Sequence, residues 1–156
     1  MAIVNGSCRF GLWHVHVAWQ DDLVYRVRFA REGLDGPVPE EILRYCAGRP
    51  ADHSTLRSIA TEGDSVSARI YRAVRAITCG ETATYGEIAL RVGTAPRVVG
   101  SAMARNPTPI VVPCHRVVAK TGMGGFTPDP AIKEALLAME GRTPGPCHRK
   151  MGEVNR

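Results

Sequence analysis

Near residue 62 the hydrophobic pattern of this 156-residue chain changes its period, and that change bounds the fold more tightly than any other feature. Before it, apolar and polar residues alternate. Leu12–Val17 and Leu23–Phe29 each repeat with a period of two around the turn Gln20-Asp21-Asp22. Residues 8–31 therefore read as two strands, with Trp13, Val15 and Val17 on one face and His14 and His16 on the other. After residue 62, Val66, Ile70, Val74 and Ile77 recur at near-helical spacing, and Gly80 is expected to end that helix. Strands followed by helices predict an α+β fold, because a parallel α/β sheet would need the two to alternate. We expect a small strand-rich domain over 1–62, a helical domain over 63–145 and a basic, mobile tail over 146–156.

Punctuation sharpens the helical half. Thr84-Tyr85-Gly86-Glu87 has the form of a capping box and opens a helix through Val92, which Gly93 stops. Another helix follows from Pro96 to Arg105, so that helix, glycine turn and helix outline a helix-turn-helix. Asn106-Pro107 breaks it. Ile110-Val111-Val112 reads as a short buried strand, and Thr121–Pro128 as a glycine-rich loop. Asp129 caps a last helix that begins at Pro130 and stops at Gly141. In the first half, Pro39–Ala47 is expected to form one short helix.

Charge is unevenly placed. Residues 1–64 hold 7 Arg/Lys against 9 Asp/Glu, whereas residues 65–156 hold 13 against 6. A basic helical half suits a polyanionic partner such as nucleic acid, although a solvated arginine-rich surface has the same composition. No apolar run is long enough for a membrane span, and the N-terminus lacks the order of a signal peptide, so a cytoplasmic protein (nuclear in a eukaryote) is expected. Five cysteines, odd in number and without a CxxC pair, argue against a disulfide framework or a four-ligand zinc site. Most of them read as buried thiols, and no metal or other cofactor is expected.

Pro113-Cys114-His115-Arg116 carries the chemistry. An apolar segment delivers a cysteine to a turn beside a histidine, and an imidazole is a common means of ionising a thiol. Alone, the tetrapeptide is also compatible with a buried cysteine beside a chance histidine. Four further segments accompany it in order: Thr84–Ala89, Val99–Met103, Asn106-Pro107 with Ile110, and Lys133-Glu134 through Leu136-Leu137 to Glu140-Gly141. Together they resemble the C-terminal domain of the O6-alkylguanine-DNA alkyltransferases, the methylated-DNA–protein-cysteine methyltransferases.

That resemblance implies a ribonuclease H-like N-terminal sheet domain followed by a winged-helix, helix-turn-helix domain. It also implies repair of double-stranded DNA by a monomer that flips an alkylated guanine out through the minor groove. The O6 alkyl group would pass irreversibly to Cys114, with O4 of thymine an open second substrate. His115 would accept the thiol proton through water, Glu140 would orient His115, and Asn106 would brace the cysteine turn. Tyr85 would rotate a phosphate and protonate the leaving base. Arg97 would replace the extruded base, and Gly100, Ala102, Ala104 and Arg105 would lie against DNA. Met103 and the backbone around Val117 would line the base pocket, and Phe126 and Thr127 would close it from the loop.

Departures from the family pattern are a segment shortened by about two residues before Arg97, and Pro128 where relatives often have glycine, which stiffens the pocket wall. A second Pro-Cys-His-Arg at 146–149 lacks the surrounding segments and reads as coincidence. Three other classes compete: a non-catalytic sensor of alkylated guanine, a winged-helix regulator and a cysteine hydrolase. Cys114 argues against the sensor. Only the alkyltransferase would retain the alkyl group as a thioether on that residue.

Overall fold

The computed structural model describes residues 2–142, and the fold is α+β as expected. The basic tail and its second Pro-Cys-His-Arg lie outside the described residues. Three strands form an antiparallel meander: β1 (Val4–Phe10), β2 (Trp13–Gln20) and β3 (Leu23–Ala30). The sequence reading had only two, because Val4–Phe10 contains glycine, serine and asparagine and alternates weakly. A two-residue β4 (Arg57–Ser58) adds parallel to β3. His14 and His16 lie on the face opposite the buried Val15 and Val17, and the His16 ring meets the Glu32 carbonyl at 2.6 Å.

One face of this sheet buries the first core. Val15, Val17, Val24, Val27 and Phe29 pack with Ile42 and Tyr45 of α1 (Glu40–Cys46). From the far end of the chain come Ile132, Leu136 and Met139 of α5 (Pro130–Arg142), joined by Ile110 and Val111. Burying each such aliphatic side chain is worth about 1.5–3 kcal/mol, so α5 is held by a face that only the N-terminal sheet supplies.

The second core belongs to α2 (Val66–Arg75), α3 (Tyr85–Val92) and α4 (Pro96–Ala104). Ser65 caps α2 by accepting from the Ala68 amide, and the helix ends at Arg75, before the expected stop at Gly80. Ile77 is buried beyond its end. The capping box forms: the Glu87 amide donates to Thr84 Oγ1 (3.1 Å), and the Thr84 amide donates to Glu87 Oε1 (2.8 Å). Gly93, at φ 88°, turns the chain toward α4 in a conformation that side-chain-bearing residues rarely adopt.

Two short pairings set the functional region. Strand β5 (Ala83–Thr84) runs parallel to β6 (Val117–Val118), tying the start of α3 to the segment after Cys114. The Val27 amide donates to the Pro107 carbonyl (2.8 Å), and the buried Ser58 and Thr108 hydroxyls meet at 2.6 Å, fixing the 106–113 loop to the sheet. The expected strand over Ile110–Val112 is absent. That stretch is a buried turn in which Ile110 takes φ 78° and Pro109 bridges Val112. Its side chains fill both cores, so burial explains the apolar run without sheet pairing.

Candidate active site

Cys114 is delivered by this turn and opens a 3-10 turn, Cys114–Arg116. Its amide donates to the Val112 carbonyl (2.7 Å), and the Arg116 amide donates to Pro113 (2.9 Å). Asn106 holds the turn from the opposite side: its Nδ2 donates to the Val112 carbonyl (2.9 Å) and its Oδ1 accepts from the Thr108 amide (3.0 Å). The Asn106 side chain also hydrogen-bonds Cys114. Only 7% of Cys114 is exposed, at the base of a groove between β3, α4 and the 125–128 loop. Burial raises its thiol pKa, and the Asn106 hydrogen bond and the Lys133 charge offset this only in part. The resting sulfur is a thiol that needs a base.

His115 supplies that base from behind. Both His115 and Glu140 are fully buried, and His115 Nε2 lies 2.6 Å from Glu140 Oε2. A carboxylate can only accept, so the ring proton sits on Nε2 and Nδ1 carries the free lone pair. His115 Nδ1 has no hydrogen-bond partner among the described residues. Burial lowers the His115 pKa more than Glu140 raises it, which keeps the ring neutral and its acceptor available.

Glu140 collects more donors than the sequence suggested. Arg116 clamps it with Nε to Oε1 (3.0 Å) and Nη2 to Oε2 (2.9 Å), while Arg116 Nη1 donates to the Ile77 carbonyl (2.8 Å). From α1, the Tyr45 hydroxyl donates to Oε2 (2.5 Å) and lies 3.3 Å from His115 Nε2. Burial alone would raise the Glu140 carboxyl, but the hydrogen bonds from His115 and Arg116 and the Arg116 charge outweigh it and hold the group far below the carboxylate range. Sequence reasoning gave Arg116 and Tyr45 no role. Arg116 had a signal, because a guanidinium beside a buried cysteine requires a carboxylate partner. Tyr45 had none, being 95 residues from Glu140 in the chain.

The groove brings together Tyr85, Gly100, Met103, Ala104, Arg105, Asn106, Cys114, Phe126 and Thr127, all of them expected there. It also includes Tyr25–Phe29 of β3, which the sequence reading left out. The Tyr85 hydroxyl and Lys133 Nζ both crowd Gly124 (φ 84°), where a β-carbon would sit 2.8 and 3.2 Å from them. Lys133 is buried and donates to the Val117 carbonyl (2.7 Å) and more weakly to Gly125 (3.4 Å), tying the pocket loop to β6. Thr127-Pro128 is a cis peptide.

Two expectations need correction. The Ala102 side chain is buried in the second core and its carbonyl accepts from Tyr71, so it cannot lie against DNA. Val117, whose backbone was expected to line the base pocket, is not among the groove's lining residues: its carbonyl accepts from Lys133 and its side chain is in the second core. Arg97 and Ala104 are exposed on α4, and Arg105 is exposed at its C-cap. Of the cysteines, Cys8, Cys46 and Cys114 are free, the last two buried and Cys8 half-buried. Among the described residues, no three His, Cys, Asp or Glu side chains converge as metal ligands, and no helix is long and apolar enough to cross a membrane.

His53 packs edge-on against Tyr45 and gives the region a pH signature. Desolvation lowers its pKa from 6.5 to about 4. Between those values the unfolded chain binds more protons than the folded one, so stability falls as the pH is lowered through this window. His53→Phe keeps the ring and removes the titration. Its melting temperature is expected to fall less steeply between pH 6.5 and 4 than that of the wild type. Parallel pH profiles would contradict this assignment.

A family model described as the DNA binding domain of 6-O-methylguanine DNA methyltransferase matches residues 65–142. Over 97 residues the chain is 41% identical to a methylated-DNA–protein-cysteine methyltransferase of Metallosphaera sedula, and the match spans 62% of this chain and 62% of that protein. Against the corresponding protein of Methanopyrus kandleri, identity is 40% over 107 residues, covering 69% of this chain and 81% of the relative. The crystal structure of Mycobacterium tuberculosis O6-methylguanine methyltransferase superposes with a TM-score of 0.74 at 26% identity, covering 91% of this chain and 94% of that one. The M. tuberculosis protein in complex with DNA superposes with a TM-score of 0.72, also at 26% identity, covering 92% and 95%. The chain belongs to the 6-O-methylguanine DNA methyltransferase family.

Proposed function

We propose that this protein repairs double-stranded DNA by moving an alkyl group from O6 of guanine to its own Cys114, once per molecule. The observation that carries the reading is the buried Cys114 at the base of an open groove, backed by a neutral His115 whose other ring nitrogen is bound to Glu140. In this reading a guanine swung out of the helix enters the groove beside Met103, Phe126 and Thr127. His115 Nδ1 takes the thiol proton through a bridging water, and Lys133 steadies the emerging thiolate. Cys114 Sγ bonds to the alkyl carbon as the carbon–O6 bond breaks. Tyr85 delivers a proton toward guanine N3, so the base leaves neutral. The thioether product has no good leaving group, and the thiol is not regenerated. O4-alkylthymine fits the same chemistry as a secondary substrate.

We read residues 1–62 as a ribonuclease H-like support and 63–145 as a winged-helix DNA-binding and transfer domain, in a monomer of the cytoplasm. Helix α4 enters the minor groove and places Arg97 in the gap left by the base. Arg97→Ala should then slow transfer from duplex DNA about tenfold or more, on the scale of one lost stacking contact. Reaction with a free O6-alkylguanine base should be unchanged. Equal losses on both substrates would remove Arg97 from the DNA interface.

The function is tested by intact mass after incubation with a duplex containing one O6-methylguanine. The protein should gain one methyl group, mapped to the Cys114 peptide, with none gained from unmodified duplex. An unchanged mass, or a methyl group on another residue, overturns the reading.

A further inference from the structure

Cys8 and Cys46 are both free and meet in the same core, where each shifts the other's titration. Cys8 lies on β1, which pairs only with β2 and is therefore a sheet edge. Cys46 closes the last turn of α1 and is buried in the first core, against which Cys8 packs half-buried. Nothing in the alkyl-transfer chemistry uses either residue. We propose that Cys8 and Cys46 are a hydroperoxide-sensitive dithiol that closes to a disulfide, stapling strand β1 to helix α1.

The two thiols are unequal in exposure: Cys8 is half-buried on an edge strand, where a hydroperoxide can reach it, and Cys46 is buried behind it. Contact with Cys46 lowers the Cys8 pKa despite partial burial, whereas contact with Cys8 and burial push Cys46 well above its ordinary value. The Cys8 thiolate attacks a hydroperoxide, forming an S–O bond as the O–O bond breaks, and an alcohol (or water) departs with the proton. Cys46 sulfur then attacks the Cys8 sulfenic acid: an S–S bond forms, the S–O bond breaks, and water leaves. Two thiols lose two electrons and two protons, and the hydroperoxide is reduced. Closure needs the sulfurs to come to about 2.05 Å, which an edge strand and the end of a two-turn helix can accommodate.

Cys114 is protected by contrast. It is buried and its thiol pKa is raised. The Cys8–Cys46 pair should therefore oxidise at peroxide levels that leave Cys114 reduced. The staple would constrain the unfolded chain and raise the melting temperature. It would also secure α1, the helix from which Tyr45 reaches Glu140.

The test does not depend on alkyl transfer. The protein is treated with limiting hydrogen peroxide, its remaining thiols are blocked, and peptides are mapped without reduction. The expected product joins the Cys8 and Cys46 peptides with the loss of two hydrogens, while Cys114 carries the blocking group. Cys46→Ser should stop at a Cys8 sulfenic acid trapped by dimedone. The Cys8→Ser/Cys46→Ser protein should lose the peroxide-induced rise in melting temperature and keep wild-type methyl transfer. Oxidation of Cys114 before Cys8, or no Cys8–Cys46 link in the wild-type map, overturns the proposal.

Discussion

Cys114→Ser is expected to cut methyl transfer from O6-methylguanine duplex by about 10⁴-fold or more, the loss seen when a triad member is removed. The geometry around the residue survives the change, because a serine oxygen can take the same hydrogen bond from Asn106. What fails is ionisation. Burial already raises the pKa of the thiol, and a hydroxyl starts several units higher still. His115, a neutral base whose own pKa is lowered by burial, is too weak to deprotonate it. Sulfur is also the softer nucleophile toward an sp3 carbon. Lesion binding depends on α4 and the groove walls rather than on ionisation, so affinity for the duplex should stay within about twofold, a few tenths of a kcal/mol. Intact mass and a binding titration on one preparation separate the two effects. Methyl transfer by the serine variant at even a tenth of the wild-type rate would mean that another residue receives the group.

How much of this was legible in sequence depended on how local the cause was. The α3 cap, the Gly93 turn and the Pro96 start were readable because each is decided within one helical turn. Asn106 and Cys114 were placed together by motif, and the structure puts the Asn106 amide on both the Cys114 turn and its side chain. The pattern failed where burial comes from distant partners. Ile110–Val112 looked like a strand because three consecutive apolar residues cannot distinguish sheet pairing from a turn wedged between two cores. Ala102 looked suited to a groove because it is small, but small residues equally permit close helix packing. Strand β1 was missed because its alternation is diluted by Asn5, Gly6 and Ser7, and only its pairing with β2 reveals it. Tyr45 and β3 reach the active site by tertiary packing alone, and no spacing rule relates Tyr45 to His115 and Glu140, 70 and 95 positions away.

Glu140→Gln is expected to combine a large loss of stability with a large loss of rate, because one carboxylate serves both. Oε2 accepts from His115, Arg116 and Tyr45, and Oε1 accepts from Arg116 and, at 3.4 Å, from the Gly80 amide. An amide keeps the shape but turns one acceptor into a donor, so either rotamer sets its –NH2 against the Arg116 guanidinium. Arg116 is then a buried cation left with the Ile77 carbonyl and one neutral amide oxygen as acceptors. Breaking a buried pair in this way costs about 3–5 kcal/mol, or roughly a 10 °C drop in melting temperature for a chain of this size. Transfer should slow about 10²–10⁴-fold, since His115 loses the acceptor that fixes its Nε2 proton and leaves Nδ1 free to act as a base. The double variant Glu140→Gln/Arg116→Met separates the two effects. Removing the orphaned cation should return most of the stability, while the rate stays low because His115 remains unoriented. In the wild type, the acid limb of the rate profile should lie below pH 6.5, since the neutral ring is required and its pKa is lowered. Without the Glu140 charge, which raises that pKa, the limb should move further toward acid. A Glu140→Gln protein that melts like the wild type and transfers methyl within threefold of its rate would show that the carboxylate neither anchors Arg116 nor directs His115.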